Sequence, residues 1–163
     1  MVDILVEIDC WPDGEWAALA EQARDAAASV EPALANPRLE VSVLFASDDD
    51  VHELNREWRG RDKPTDVLSF PMLERADLLA LRGEGPPEML GDIALALETC
   101  TREAREKGVS LANHASHLLV HGFLHLAGHD HVDSDEQAAA MEALEIEALA
   151  KLHIPDPYGD RDN

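Results

Sequence analysis

The sequence predicts an α/β domain in which four short strands and five helices share one core. Three observations carry this. Segments 2–9 and 39–45 alternate apolar and polar residues with period two, as half-buried strands do. Each is followed by a stretch of helical composition, giving two strand–helix units. The last third of the chain is a succession of three helical segments with marked ends. At 163 residues, 45% of them hydrophobic, the chain fits a single domain, 1–163, and is too apolar for a disordered one.

The elements follow in order. Val2, Ile4, Val6 and Ile8 give the first strand its inward face, and Trp11-Pro12-Asp13-Gly14 ends it. Glu15 to Val30 is rich in Ala and free of Gly and Pro, which makes it a helix. Asn36-Pro37 marks a turn before the strand of Leu39, Val41, Val43 and Phe45. Ser47 can cap a helix running from Asp48 to about Trp58, with Asp48, Asp49 and Asp50 where the helix dipole favours acidic groups. Gly60 to Thr65 is a polar loop, and Val67-Leu68-Ser69-Phe70 is a short strand stopped by Pro71. Gly83, Gly85, Pro86 and Pro87 make 74–89 a mobile loop, and Leu90 to Leu97 is the fourth strand. Glu98 to Lys107 is a helix ended by Gly108. Ser110 caps the next, through Leu126 and ended by Gly128. Ser134 caps the last, to about Leu152, where Pro155 and Pro157 forbid extension; its Ala/Leu pattern is core packing.

Charge narrows the function. The 34 acidic against 13 basic residues give a net charge of −21, which argues against binding nucleic acid or anionic membrane through the global field. No apolar run approaches a membrane span, and the N-terminus lacks the basic flank and apolar core of a signal peptide. Cys10 and Cys100 are too few for a disulfide framework and read as buried thiols of a reducing compartment. The expectation is a soluble, cytoplasmic protein.

Residues 121–131 read His-Gly-Phe-Leu-His-Leu-Ala-Gly-His-Asp-His. His121 and His125 stand one turn apart on one helix face, where two imidazoles can share a metal ion. Gly128 lets the chain leave the helix in a left-handed conformation, so that His131 can return beside them. Three nitrogens and a water would be the open pattern of catalytic zinc. The bland alternative is a helix whose histidines pack or face water. Five of the eight histidines crowd into positions 117–131, which favours the metal. The spacing matches the metzincin helix, except that Gly122 stands where those peptidases carry the Glu that serves as general base. The scaffold is therefore zincin-like while the chemistry should differ.

Arg56, Arg59, Arg61 and Lys63 form a basic island on this acidic chain. Such a cluster at a helix end complements the dipole, but arginine also matches phosphate geometry. A metal-activated water beside such an arginine is a plausible phosphodiesterase. His117 lies one turn before His121, as a core histidine or one that contacts substrate or holds a ligand in place. His114, a turn further away, is expected to be exposed. Asp130 can orient a ligand imidazole or simply make a turn. Thr65, Asp66, Ser69 and Asp92 can touch substrate, though such residues more often satisfy backbone groups.

Four stretches resemble the YbeY family of bacterial rRNA maturation factors: Leu54 to Gly60, Lys63 to Pro71, Leu90-Gly91-Asp92-Ile93, and His117 to His131. Met141-Glu142 and Asp156-Pro157-Tyr158 also fit. The resemblance spans roughly 40–158. It implies a mixed four-stranded sheet with about five helices, an α+β arrangement bearing the metal-site helix. It also implies a zinc-dependent, single-strand-specific endoribonuclease that processes the three-prime end of small-subunit rRNA and serves ribosome quality control. By position, His121, His125 and His131 carry over as ligands of one zinc ion with a water, and Arg59 as the functional arginine. The family has Tyr where this chain has His129, so His129 is a competing ligand; its Gly matches Gly122. RNA and the ribosome or its proteins are the implied partners, with no membrane. A ribosome-associated factor with a structural zinc, or a zincin-like hydrolase of another substrate class, are the rival readings.

Overall fold

The computed structural model describes residues 3–59, 65–129 and 134–158, with Arg59 described in its backbone only. The strands are β1 (Asp3–Ile8), β2 (Leu39–Ala46), β3 (Val67–Pro71) and β4 (Glu88–Ala96). The helices are α1 (Trp16–Val30), α2 (Asp48–Arg59), α3 (Arg75–Ala80), α4 (Leu97–Lys107), α5 (Leu111–Leu126) and α6 (Asp135–Lys151), with a 3-10 turn at Pro32–Ala35. The sheet order is β1-β2-β4-β3, with β1, β2 and β4 parallel and β3 antiparallel to β4. The sheet is therefore mixed and the fold α+β, with β3 as an edge strand.

Period-two alternation in β2 sends Val41, Val43 and Phe45 to one face, where they join Ile93 and Leu95 of β4 under α1, α5 and α6. The opposite face carries Ala46, Leu68, Ala94 and Ala96 under Val51 of α2. Trp11 closes the end of the larger core: its ring packs edge-on to Trp16 and Phe45, at centroid distances of 4.9 and 5.0 Å, and its indole N–H donates to the Ala46 carbonyl. The expected caps form: Ser110 accepts from the Asn113 amide and Ser134 from the Gln137 amide. Gly108 ends α4 in the left-handed conformation, and Gly128 follows α5 at φ 102°.

Two expectations are corrected. The segment 74–89 is not a free loop. It begins with α3, a helix beyond the five expected, because Leu78 is 2% exposed in the main core and Arg75 donates to the Ala127 carbonyl. The Gly/Pro stretch after it is tied down by Asn36, which donates to the Leu81 carbonyl, and by Arg38, which donates to that of Pro86. Cys100 is buried but Cys10 is exposed, at a positive-φ position between β1 and Trp11. No helix among the described residues is long and apolar enough to cross a membrane.

Candidate metal centre

Helix α5 lies against the sheet through Gly122, which is buried; a Cβ there would stand 3.0 Å from Cδ1 of Ile93. This contact turns the stripe of His117, His121 and His125, each one turn from the next, toward α6 and β3. His121 Nδ1 lies 3.0 Å from Oε1 of Glu145 on α6, and His117 Nε2 lies 3.1 Å from the same oxygen. The Tyr158 hydroxyl donates to Glu145 Oε2 at 3.0 Å. On the other side, His125 Nδ1 is 2.8 Å from the Ser69 hydroxyl on β3. Burial alone would raise the Glu145 pKa. The hydrogen bonds from His117 and His121 outweigh it and hold the carboxyl at about 2.

These contacts decide how the rings can act. An ionised carboxylate only accepts, so His121 presents Nδ1–H to Glu145 and carries its lone pair on Nε2. The Ser69 hydroxyl can accept Nδ1–H of His125 in the same way. Imidazoles held through Nδ1 and presenting Nε2 are the donor set zinc takes, so this pair fits such an ion. The third proposed ligand, His131, lies outside the described residues, as do Asp130 and the side chain of Arg59.

His129 is engaged elsewhere. Its Nε2 is 2.6 Å from Glu31 Oε2, an oxygen that Arg75 also approaches at 3.3 Å. Burial works to raise the Glu31 pKa, and His129 and Arg75 bring it below its ordinary value. The ring thereby pins the chain after α5 to the end of α1.

His114 departs from expectation: it is 3% exposed, not solvent-facing, because its face of α5 packs against α4. Its Nε2 is 2.9 Å from Glu103 Oε1, and donor atoms of Asp66, Glu103 and His114 all lie within 4.8 Å of one another. By donor type and spacing, this group too can hold a metal ion. Burial and the Asp66 carboxylate raise the Glu103 pKa to about 7, while burial and Lys107 push His114 down to about 4. A proton held on Glu103 relieves its crowding against the Asp66 carboxylate. Asp66 also accepts from the Val67 amide at 2.7 Å, the backbone role expected at a strand start.

Ser69 takes a site position, whereas Asp92 lies on the opposite face of the sheet from it, its pKa raised by burial. Glu145 escaped sequence reasoning, although one signal was present: it is a carboxylate on the same stripe as Met141, Ala148 and Leu149, where a buried charge requires partners. Glu31 and Glu103 escaped as well, since their histidine partners lie just beyond α5 and on it, 98 and 11 residues away.

Fold and site together define a mixed-sheet α+β protein with a histidine–carboxylate centre on the helix that packs across its sheet. The family model for endoribonuclease YbeY matches residues 7–153, and the chain belongs to that family. It is 72% identical over 156 residues to endoribonuclease YbeY of Erythrobacter litoralis, covering 96% of this chain and 97% of that protein. It is 55% identical over 154 residues to endoribonuclease YbeY of Novosphingobium aromaticivorans, covering 93% and 92%. The solution structure of TM1509 from Thermotoga maritima matches with a TM-score of 0.59 at 26% identity, covering 94% of this chain and 92% of that one.

Proposed function

We propose that this chain is a zinc-dependent endoribonuclease that cuts single-stranded RNA. Its role would be to mature the three-prime end of small-subunit rRNA, with a part in ribosome quality control, in the cytoplasm alongside ribosomal proteins. The relatives' shared name supports ribonuclease chemistry. The observation that carries the metal is the pair of imidazoles on α5, each engaged through Nδ1, by Glu145 and by Ser69. His121, His125 and His131 would hold one zinc ion through ring nitrogens, with a water in the remaining position. When bound, the ion supplies a Lewis acid for a phosphate oxygen and lowers the pKa of a water.

The chain's own residues do the rest. Glu145 accepts the Nδ1 proton of His121 and Ser69 can accept that of His125, which orients both rings. Arg59, at the C-terminal end of α2, would bind the phosphate and balance charge added during cleavage. The test is Arg59→Glu: cleavage of a single-stranded RNA is lost while bound zinc stays near one equivalent per chain. Loss of the metal in that variant would make Arg59 structural.

A further inference from the structure

Glu145 occupies an unusual place for a carboxylate. It is 1% exposed, on a helix stripe otherwise made of Met141, Ala148 and Leu149. Its oxygens take donors from three places: His117 Nε2 at 3.1 Å, His121 Nδ1 at 3.0 Å and the Tyr158 hydroxyl at 3.0 Å. The Tyr158 ring stands edge-on to His117, with centroids 5.4 Å apart. Tyr158 is itself set by a turn in which its amide donates to Asp156 Oδ1 at 2.7 Å. A segment beyond the last helix thus reaches back to a carboxylate that holds a ring on α5.

We propose that Glu145, clasped by Tyr158, is the positioning residue that fixes the tautomer and orientation of His121 and so sets the affinity of the centre for its metal. This rests on the zinc reading above and adds to it a device outside the ligand set. The logic is geometric. A buried carboxylate can only accept, so the nitrogen facing it must carry the proton, and the lone pair moves to the far side of the ring. An unconstrained imidazole would be free to rotate or to hold the other tautomer, and each alternative removes a ligand. Because Oε1 takes both His117 and His121, His117 sets the lateral position of that oxygen. Tyr158 occupies Oε2 and stops the carboxylate from turning.

The test combines spectroscopy with metal affinity. A long-range proton–nitrogen spectrum of the metal-free wild type should show His121 as the Nδ1–H tautomer. Glu145→Leu removes the acceptor, and Glu145→Gln keeps the shape but not the charge. Zinc affinity, measured by competition with a chromophoric chelator, should fall about 10- to 100-fold in Glu145→Leu and less in Glu145→Gln. His121 should leave the Nδ1–H tautomer in Glu145→Leu. If Glu145→Leu fails to fold, the wild-type spectrum and Glu145→Gln decide. An Nε2–H tautomer in the wild type, or wild-type affinity in the folded variants, would overturn the role of Glu145. A wild type that holds the Nδ1–H tautomer yet binds no zinc would overturn the metal reading alone.

Discussion

Gly122 stands where a metzincin peptidase carries its catalytic Glu, and restoring that residue is a direct test of how α5 is seated. A Cβ at 122 would meet three Ile93 side-chain atoms at 3.0, 3.2 and 3.3 Å, inside ordinary carbon–carbon contact. Overpacking of this kind costs about 1–3 kcal/mol. The carboxyl would then lie among core residues, where it neutralises instead of ionising; a pKa raised by about 3 units costs about 4 kcal/mol. Better helix propensity than Gly returns about 1 kcal/mol. The net loss in Gly122→Glu is about 4–6 kcal/mol, against a total stability of about 5–15 kcal/mol. For a chain this long, each kcal/mol moves the melting temperature by about 2–4 °C, so the variant should melt about 8–24 °C lower. Gly122→Ala carries only the steric part and should lose about 0–2 kcal/mol. Thermal denaturation followed by circular dichroism measures both, and a peptide substrate checks that Gly122→Glu acquires no peptidase activity. A Gly122→Glu protein that melts with the wild type would refute the seating of α5 on β4. One that also cleaves peptide would revive the zincin reading.

Ser69→Ala removes the partner of His125 Nδ1 and should weaken zinc binding by about tenfold while changing the melting temperature little, since one hydroxyl hydrogen bond contributes about 1 kcal/mol; unchanged affinity would show that His125 is oriented by something else. The Glu103–His114 pair makes a prediction about pH. With Glu103 raised to about 7 and His114 lowered to about 4, folding between those values moves one proton from the histidine to the carboxyl, and the pair adds little slope to stability. His114→Asn breaks the balance. Glu103 alone, its folded pKa above its unfolded one, contributes stability that is full below its ordinary pKa and is lost as pH rises through about 7. Relative to wild type, the variant's urea midpoint should fall between pH 5 and pH 7. The free-energy change is about 1 kcal/mol after solvent screening of this part-exposed group. A difference that stays flat with pH would refute the opposed shifts of Glu103 and His114.

Local signals carried the elements and remote contacts carried the site. Alternation marked β2 because one of its faces is buried, and β1 because Ile4 and Val6 are half-buried while Asp3, Leu5 and Glu7 are exposed, although Ile8, expected to face inward, is exposed too. Ser110, Ser134 and Gly108 marked helix ends because their chemistry is local. Alternation says nothing of strand direction, so the mixed sheet came only from the family resemblance, and that β3 is the antiparallel strand came only from the structure. Helix α3 was hidden by the glycines and prolines that follow it: a short helix held by one buried leucine and Arg75 has no period to read. The spacing of His121 and His125 was legible because it lies within one helix. Their partners were not: Glu145 is 24 residues from His121, and Ser69 is 56 from His125. His114 was misjudged because the face of a histidine on an apolar helix depends on which neighbour covers it, and α4 covers this one.

The same contacts explain why so acidic a chain places carboxylates in its interior. Helix α5 meets polar partners along its length: Glu103 at His114, Glu145 at His117 and His121, Ser69 at His125, and Glu31 at His129 just beyond its end. These come from α4, α6, β3 and the end of α1. An apolar face alone, built on Gly122, Leu119 and Phe123, tolerates small shifts along or around the axis at little cost, because hydrophobic contact is not directional. Hydrogen bonds to buried carboxylates do not tolerate them, since a shift of an ångström leaves a charge unpaired. The three carboxylates, Glu145 and Glu31 buried and Glu103 partly so, and the Ser69 hydroxyl come from separate elements and therefore set the register and rotation of α5 together. That precision is of little use to a helix that only fills a core. It is what a helix needs when its side chains must converge on one point with tolerances of about half an ångström.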